Sequence, residues 1–232
     1  MIASILQPLE QANAPEALHA PDGFLSLPVA IVMWILTLAV GAYAVRQTNR
    51  TLDERAVPLL GVMAAFIFAA QLFNVPVLGG TSGHLLGGVL AAVMLGPWAG
   101  TLVMTAVVAV QALLFQDGGL LVMGANIFNM GVIGTLGGYA LYRSLASILG
   151  GEERGRLPAA GIAAWTSVVA GAVAIALQLG VSGVTPLEIA LPAMVGAHLV
   201  IGVVEALITV AALAFIGVTR ADLFRLRDAQ PT

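Results

Sequence analysis

The 232-residue sequence contains no cysteine, and all nine of its basic residues are arginine. The absence of cysteine excludes a disulfide framework and a thiolate metal or redox site. The absence of lysine excludes the phosphate-binding loop Gly-x-x-x-x-Gly-Lys-Ser/Thr, so the energy for any driven process must come from elsewhere. Charged residues make up only 9% of the chain and the net charge is −3, with no basic patch suited to nucleic acid.

Apolar residues, in contrast, make up 59% of the sequence, and the mean hydropathy is +1.00. In soluble proteins about a quarter of residues are charged, so these values identify an integral membrane protein. Residues 56–116 contain no charged residue, a run long enough for three passes of about 20 residues each. We therefore expect an all-α, polytopic bundle of seven helices in the inner (plasma) membrane of the cell. The predicted helices cover residues 28–45, 58–73, 85–95, 97–115, 123–142, 158–179 and 192–216.

Proline marks the predicted start of five of these helices, because its missing N–H costs nothing there and its fixed φ suits a helix. The five are Pro28, Pro58, Pro97, Pro158 and Pro192. The third predicted helix, residues 85–95, is too short to span a membrane alone. It either extends back towards Gly79 or is a broken helix whose irregular backbone lines a cavity.

Arginines follow three of the predicted helices and set the orientation of the chain. By the positive-inside rule their clusters are cytoplasmic, which places the N-terminus outside and the C-terminus in the cytoplasm. The clusters are Arg46, Arg50 and Arg55; Arg143, Arg154 and Arg156; and Arg220, Arg225 and Arg227. His19, His84 and the loop 116–120 then share the outer side. We divide the chain into a polar N-terminal extension (1–17), a transmembrane substrate-binding domain (18–220) and a cytoplasmic tail (221–232).

Two polar islands carry histidines that are candidates for metal binding. Residues 18–26 read Leu-His-Ala-Pro-Asp-Gly-Phe-Leu-Ser, and residues 79–84 read Gly-Gly-Thr-Ser-Gly-His. A histidine directly after a free amino terminus is a strong chelator, because the amine, the histidine amide nitrogen and imidazole Nδ1 form fused small rings around one ion. The ring of His84 would complete four nitrogen donors with those of His19, a set that suits square-planar Ni²⁺ or Cu²⁺ and also serves Co²⁺. In the sequence as written, the Met1 amine lies seventeen residues before Leu18.

Other polar residues have structural alternatives beside a role at the metal. Asp22, in Pro-Asp-Gly, is typical of a turn in which Asp bonds the backbone two residues on, or it accepts the N–H of a ligating imidazole. Glu205 is the one acid within the seventh predicted helix, and His198 lies seven residues earlier on the same face, about 10.5 Å along the axis. We favour a structural or coupling role for these two residues over ligation. Three uncharged polar residues lie on apolar helices, where they fix loops and helix contacts or hydrogen-bond to the metal ligands. They are Gln111, Asn126 and Asn129.

Two other classes of protein are open at this point. A membrane metallohydrolase would need a cluster such as His-Glu-x-x-His, whereas the three histidines of this chain are dispersed. A carrier for a vitamin-like organic substrate would need a roomy, aromatic-lined pocket, and only 6% of the residues are aromatic.

Six sequence segments, spread over residues 18–209, together resemble one family. The first segment is residues 18–26. The second is the stretch 76–88, which reads Pro-Val-Leu-Gly-Gly-Thr-Ser-Gly-His-Leu-Leu-Gly-Gly, and the third is Leu-Gly-Pro-Trp-Ala at 95–99. Gln-Ala-Leu-Leu-Phe at 111–115 is followed by Asp-Gly-Gly-Leu at 117–120, then by Gly-Ala-Asn-Ile at 124–127 with Asn-Met-Gly at 129–131. The last is His-Leu-Val-Ile-Gly-Val-Val-Glu-Ala-Leu-Ile-Thr at 198–209. In this combination the chain resembles the substrate-binding membrane subunit of energy-coupling-factor cobalt and nickel importers, the CbiM/NikM family.

The resemblance implies a seven-helix carrier whose N-terminal segment folds into the bundle from outside. Its metal ligands are the N-terminal amine, the amide and ring of the second residue, and a later loop histidine, which correspond here to Leu18, His19 and His84. The family has methionine at the first of these positions, whereas this chain has Leu18 with an extension before it. Either the codon for Leu18 is the true start, read as methionine, or a protease cuts after Ala17.

The resemblance also implies partners and a substrate. The partners are a transmembrane coupling subunit, two cytosolic ATPases and a small auxiliary membrane subunit. The substrate is Co²⁺ or Ni²⁺, with no organic cofactor. Four nitrogen donors do not decide between these ions, since intrinsic affinity favours nickel and selectivity depends on geometry. The overall resemblance favours cobalt.

Overall fold

The computed structural model describes residues 19–53, 56–72, 75–77 and 81–224, and most of them are helical. This part of the chain contains eight α-helices, one π-helix and an antiparallel hairpin of strands β1 (Val75–Val77) and β2 (Thr81–Gly83). Leu18, the extension before it and the tail from residue 225 lie outside the described residues. The helices are α1 (Leu27–Thr51), α2 (Val57–Gln71), α3 (Gly88–Leu95), α4 (Pro97–Leu114), α5 (Met123–Ile127), α6 (Gly138–Ile148), α7 (Gly151–Val181) and α8 (Leu187–Thr219).

Four of these helices, α1, α4, α7 and α8, are long and apolar enough to cross a membrane, and α2 is a shorter apolar helix. The protein is therefore a helical, multi-pass membrane protein. The helix count differs from the seven predicted because the fifth predicted helix consists of three consecutive pieces. These pieces are α5, the π-helix Phe128–Gly137 and α6.

Three of the five proline starts are confirmed, and two are wrong. Proline occupies the first or second position of α1, α2 and α4. Pro158 and Pro192 instead lie inside α7 and α8, which begin several residues earlier. The first turn of α7 carries two acidic residues and that of α8 carries one, where the positive end of the helix dipole favours them. Each proline removes one backbone hydrogen bond of its helix, and it does so within the first part of the helix.

The short helix α3 lies at the centre of the molecule. All eight of its residues are buried, and it follows an irregular segment, residues 84–87, that carries His84. A Cβ atom at Gly88 would lie 2.9 Å from the carbonyl carbon of Gly134, so α3 and the π-helix approach backbone to backbone. Of the two predicted alternatives, an extended helix or a broken one, the structure has the broken helix. The irregular segment before it lines a cavity.

The π-helix is ten residues long, which is unusual, because π-helices are mostly single turns within α-helices and are frequent at functional sites. It carries Asn129 and Met130 to the central cavity. Its apolar pattern does not differ from that of an α-helix, so the sequence predicted an ordinary helix here.

Candidate metal centre

The rings of His19 and His84 meet, although the two residues are far apart in the sequence. Their centroids are 4.8 Å apart and the ring planes are inclined by 51°. His19 is buried and His84 is half-buried. A divalent cation bonds imidazole nitrogen at about 2 Å, so a small shift of either ring would let both bind one ion.

A carboxylate faces the two atoms of His19 that a fused-ring chelate would use. The backbone N–H of His19 donates to Oδ1 of Asp117 at 3.2 Å, and Nδ1 of its ring lies 3.3 Å from Oδ2 of the same residue. Because both nitrogens point at one acid, a cation held by them would lie beside this negative charge. Asp117 was not among the predicted site residues. Its signal in the sequence is that it is the acid that ends the charge-free run at residues 56–116.

The carboxylate of Asp22, for which a local turn or an imidazole partner was expected, binds the backbone of a distant loop. It accepts three backbone N–H groups from a distant loop, those of Leu120 (3.1 Å), Leu121 (2.8 Å) and Val122 (3.3 Å). These donors immediately precede α5, where an acidic group is favoured by the exposed N–H groups of a helix start. Asp22 therefore fastens the His19 segment to the start of α5.

Two glycines allow the His19 segment to lie directly on the loop 116–120. Gly118 has φ +98°, and a Cβ there would lie 2.9 Å from Cβ of His19. A Cβ at Gly119 would overlap the backbone N and the side chain of Asp22. The N–H of Gly119 also donates to the carbonyl of Ala20 at 3.0 Å. No larger residue fits at this joint without moving the backbone.

The His84 segment is held by a second acid, Glu205 of α8. Its Oε2 and Oε1 accept the backbone N–H groups of Leu86 (2.7 Å) and Gly87 (2.9 Å), and the side chain is 1% exposed. Gln71 of α2 donates to the carbonyl of Leu86 at 2.8 Å. Nδ1 of His84 lies 2.9 Å from the carbonyl of Leu85. Because a carbonyl only accepts, Nδ1 carries the proton and Nε2 the lone pair.

The three uncharged candidates hold loops and helices in the structure. The carbonyl of Gln111 accepts the N–H of Asp117 at 3.0 Å, and Asn126 donates from Nδ2 to the carbonyl of Ala20 at 3.1 Å. Asn129 exchanges two hydrogen bonds with Gln178 of α7, at 3.0 and 2.8 Å. Gln178 was not predicted; nothing in its local sequence distinguishes it from other polar residues on a long apolar helix.

One cavity of about 120 Å³ lies against the histidine pair. All three histidines of the chain line it, including His198. Within residues 19–53, 56–72, 75–77 and 81–224, however, no group of three or more His, Asp or Glu side chains converges as a metal-binding cluster. Among the described residues, the cavity therefore brings two imidazole rings together without a third clustered ligand side chain.

The fold and the site together define a membrane protein of the metal-transport class. Residues 19–223 match the family described as the cobalt uptake substrate-specific transmembrane region, CbiM. The chain belongs to this family, which confirms the resemblance inferred from the sequence. Because this is a family of transport components, the metallohydrolase alternative is not supported.

Similar proteins point the same way. A protein of Haloquadratum walsbyi whose name assigns it to metal transport is 43% identical over 89% of this chain and 93% of its own length. A fused nickel transport protein of Rhodobacter capsulatus is 33% identical over 91% of this chain and 65% of its own length. The crystal structure of a truncated transition metal transporter matches with a TM-score of 0.78 and 36% identity, over 85% of this chain and 97% of that one.

Proposed function

We propose that this chain is the substrate-binding membrane subunit of an ATP-driven energy-coupling-factor importer, and that its substrate is divalent cobalt. The observation that carries the proposal is the 4.8 Å separation of the His19 and His84 rings. Membership of the cobalt uptake family supports both the transport role and the metal. The chain lies in the inner (plasma) membrane and captures the ion from outside.

The ion is held by nitrogen. The amide nitrogen and Nδ1 of His19, Nε2 of His84, and an amine at Leu18 supply four donors. Binding through the amide nitrogen displaces its proton, which passes to water by way of the Asp117 carboxylate that accepts this N–H, and the amidate anion left behind bonds the cation. The same carboxylate keeps the His19 segment in place before the ion arrives, because it accepts the N–H that the metal later replaces.

Nickel is the second candidate substrate. Its support is the named relatives, since the Rhodobacter capsulatus protein is a nickel transport protein. A nitrogen-only set binds nickel at least as well as cobalt by intrinsic affinity, so selection of cobalt would rest on the geometry imposed by the two histidine segments.

The partners are those that the resemblance to energy-coupling-factor importers implies. A transmembrane coupling subunit, two cytosolic ATPases and a small auxiliary membrane subunit complete the importer. ATP hydrolysis by the ATPases reorients this subunit and releases the ion inside.

Metal binding by the purified protein tests the assignment. Titration with Co²⁺ and with Ni²⁺, followed by metal analysis of the washed protein, should give one ion per chain. His84→Ala should weaken binding at least a hundredfold, because one of two rings is lost, while His84→Gln separates loss of the ring from loss of a polar contact. Equal metal retention by wild type and His84→Ala would show that the site is elsewhere.

The donor at position 18 is tested by mass spectrometry of the intact purified protein. A mature chain that begins at residue 18 supplies the amine and predicts four nitrogen donors. An intact Met1 terminus removes this donor, and the site would then bind through the remaining nitrogens with lower affinity.

Orientation is tested by cysteine labelling, for which the cysteine-free chain is well suited. Leu120→Cys, in the loop beside His19, should react with an impermeant maleimide added to intact cells. Ser147→Cys, near the end of α6, should react only after the membrane is opened. The reverse pattern would place the histidines on the cytoplasmic side and contradict capture from outside.

A further inference from the structure

The third histidine of the chain, His198, borders the same cavity as the histidine pair but belongs to a different helix. It lies eleven residues after the start of α8, about 16 Å along the helix axis. The helix begins five residues before Pro192, its predicted start, and His198 is half-buried against the cavity.

The ring of His198 is prepared as a metal ligand. Its Nδ1 lies 2.7 Å from the carbonyl of Met194, one turn earlier on α8. Since the carbonyl only accepts, Nδ1 must carry the proton, and the neutral ring keeps its lone pair on Nε2. A backbone carbonyl on the far nitrogen is the usual way in which proteins fix the tautomer and the orientation of a ligating histidine.

The surroundings of His198 also supply softer donors. The thioether side chains of Met130, on the π-helix, and Met194 line the cavity. Thioethers bind soft and borderline transition metals but not Mg²⁺ or Ca²⁺. A cavity of about 120 Å³ is large enough for a cation and several water molecules, since each water molecule needs about 10–15 Å³ of such space.

His198 does not complete the outer site. If the three rings converged on one point they would form a three-histidine cluster, and none occurs in the part of the chain described by the structure. His198 and the pair His19–His84 therefore border one water-sized space from separate positions.

We propose that His198 forms a second binding position for the transported cation, which the ion occupies after it leaves His19 and His84. The step is a ligand exchange: the bonds from the metal to Nε2 of His84 and to the His19 nitrogens break, the His19 amide nitrogen regains its proton from water, and a bond to Nε2 of His198 forms, with the Met194 thioether as an additional donor. The two exchanging rings stay neutral, and no electron is transferred. This inference rests on the proposed transport function, and it extends the path of the ion from the outer site into the bundle.

Four forms of the full chain test the proposal: wild type, His84→Ala, His198→Ala and the double variant. Each is titrated with Co²⁺, and Cu²⁺ is used as a paramagnetic probe whose electron spin echo counts bound imidazoles. We expect His198→Ala to bind Co²⁺ within about threefold of wild type, because the outer site is intact. We expect His84→Ala to keep weaker binding, and the double variant to bind at least tenfold more weakly than His84→Ala. The imidazole count of tightly bound Cu²⁺ should be the same in wild type and His198→Ala.

Uptake of Co²⁺ by cells that carry the complete importer gives the second readout. His198→Ala should lower uptake at least tenfold while the tight outer site is retained. Leu199→Ala, an exposed neighbour on α8, is the control and should leave uptake unchanged. His198→Gln guards against misfolding, since its amide still donates to the Met194 carbonyl but offers no imidazole, and it should behave as His198→Ala does.

Equal affinity in His84→Ala and in the double variant, or fewer imidazoles in His198→Ala than in wild type, would overturn the second position. Unchanged uptake in His198→Ala would also overturn it. Failure of the proposed function itself has a different signature, which is wild-type metal affinity in His84→Ala alone.

Discussion

The two segments that carry His19 and His84 are held by the same kind of hydrogen bond in two different environments. In each, a carboxylate accepts backbone N–H groups just before a helix: Asp22 does so at the start of α5, and Glu205 at the start of α3. Asp22 is exposed and binds a surface loop, whereas Glu205 is 1% exposed and belongs to the long helix α8. Water can replace Asp22, whereas Leu86 and Gly87, the partners of Glu205, are buried.

The two acids therefore join their histidine segments to different parts of the molecule. Asp22 and Asp117 join the His19 segment to a neighbouring loop at one end of the molecule. Glu205 joins the His84 segment to a helix long enough to cross a membrane, so displacement of α8 would displace the segment that carries His84.

The largest effect is expected at the buried connection. Glu205→Ala leaves the N–H groups of Leu86 and Gly87 without an acceptor, which costs roughly 1–3 kcal/mol for each group. We expect thermal stability to fall and Co²⁺ affinity to drop at least tenfold. Glu188→Ala, at an exposed position in the first turn of the same helix, is the control. If both variants behave alike, the hydrogen bonds of Glu205 do not hold the His84 segment.

A smaller but clear effect is expected where the His19 segment lies on the loop. Gly119→Ala introduces a Cβ that overlaps Asp22, so the segment must move away. Co²⁺ affinity should fall several-fold, measured by competition titration, with little loss of helical content. Gly196→Ala on α8 is the matched control, since a Cβ there meets nothing within 4 Å. Unchanged affinity in Gly119→Ala would show that the close approach of the two loops is not needed for binding.

Asp117→Asn removes the charge beside His19 and keeps an oxygen acceptor for its N–H. We expect Co²⁺ affinity to fall roughly tenfold, about 1.4 kcal/mol, because a negative charge near the cation is lost. The melting temperature should change little. Stronger rather than weaker binding in this variant would mean that the carboxylate competes with the metal for His19.

The smallest effect is expected for Asp22→Asn, the same substitution at the neighbouring acid. One oxygen remains as an acceptor and the site is open to water, so the loss of stability should be about 1 kcal/mol or less. Co²⁺ affinity should stay within about twofold of wild type, as read by the same titration. A loss equal to that of Asp117→Asn would place Asp22 at the metal after all.

Much of this arrangement could be predicted from the sequence. Composition and charge-free runs gave the helical membrane fold, and the quoted motifs gave the family and the pair His19–His84. Helix starts failed at Pro158 and Pro192, since acidic first turns stabilise helices that begin before these prolines. The missed contacts, those of Asp117 with His19 and of Glu205 with residues 86–87, join a side chain to a distant backbone N–H. Such pairs leave no periodicity in the sequence, so only the fold shows them.

X-ray absorption at the metal edge of the Co²⁺-loaded protein tests the central claim most directly, because multiple scattering counts the imidazole rings bound to the ion. The two-ring site predicts two imidazoles in the wild type and one in His84→Ala, with nitrogen at about 2 Å. A first shell of oxygen alone, or the same imidazole count in both proteins, would contradict it.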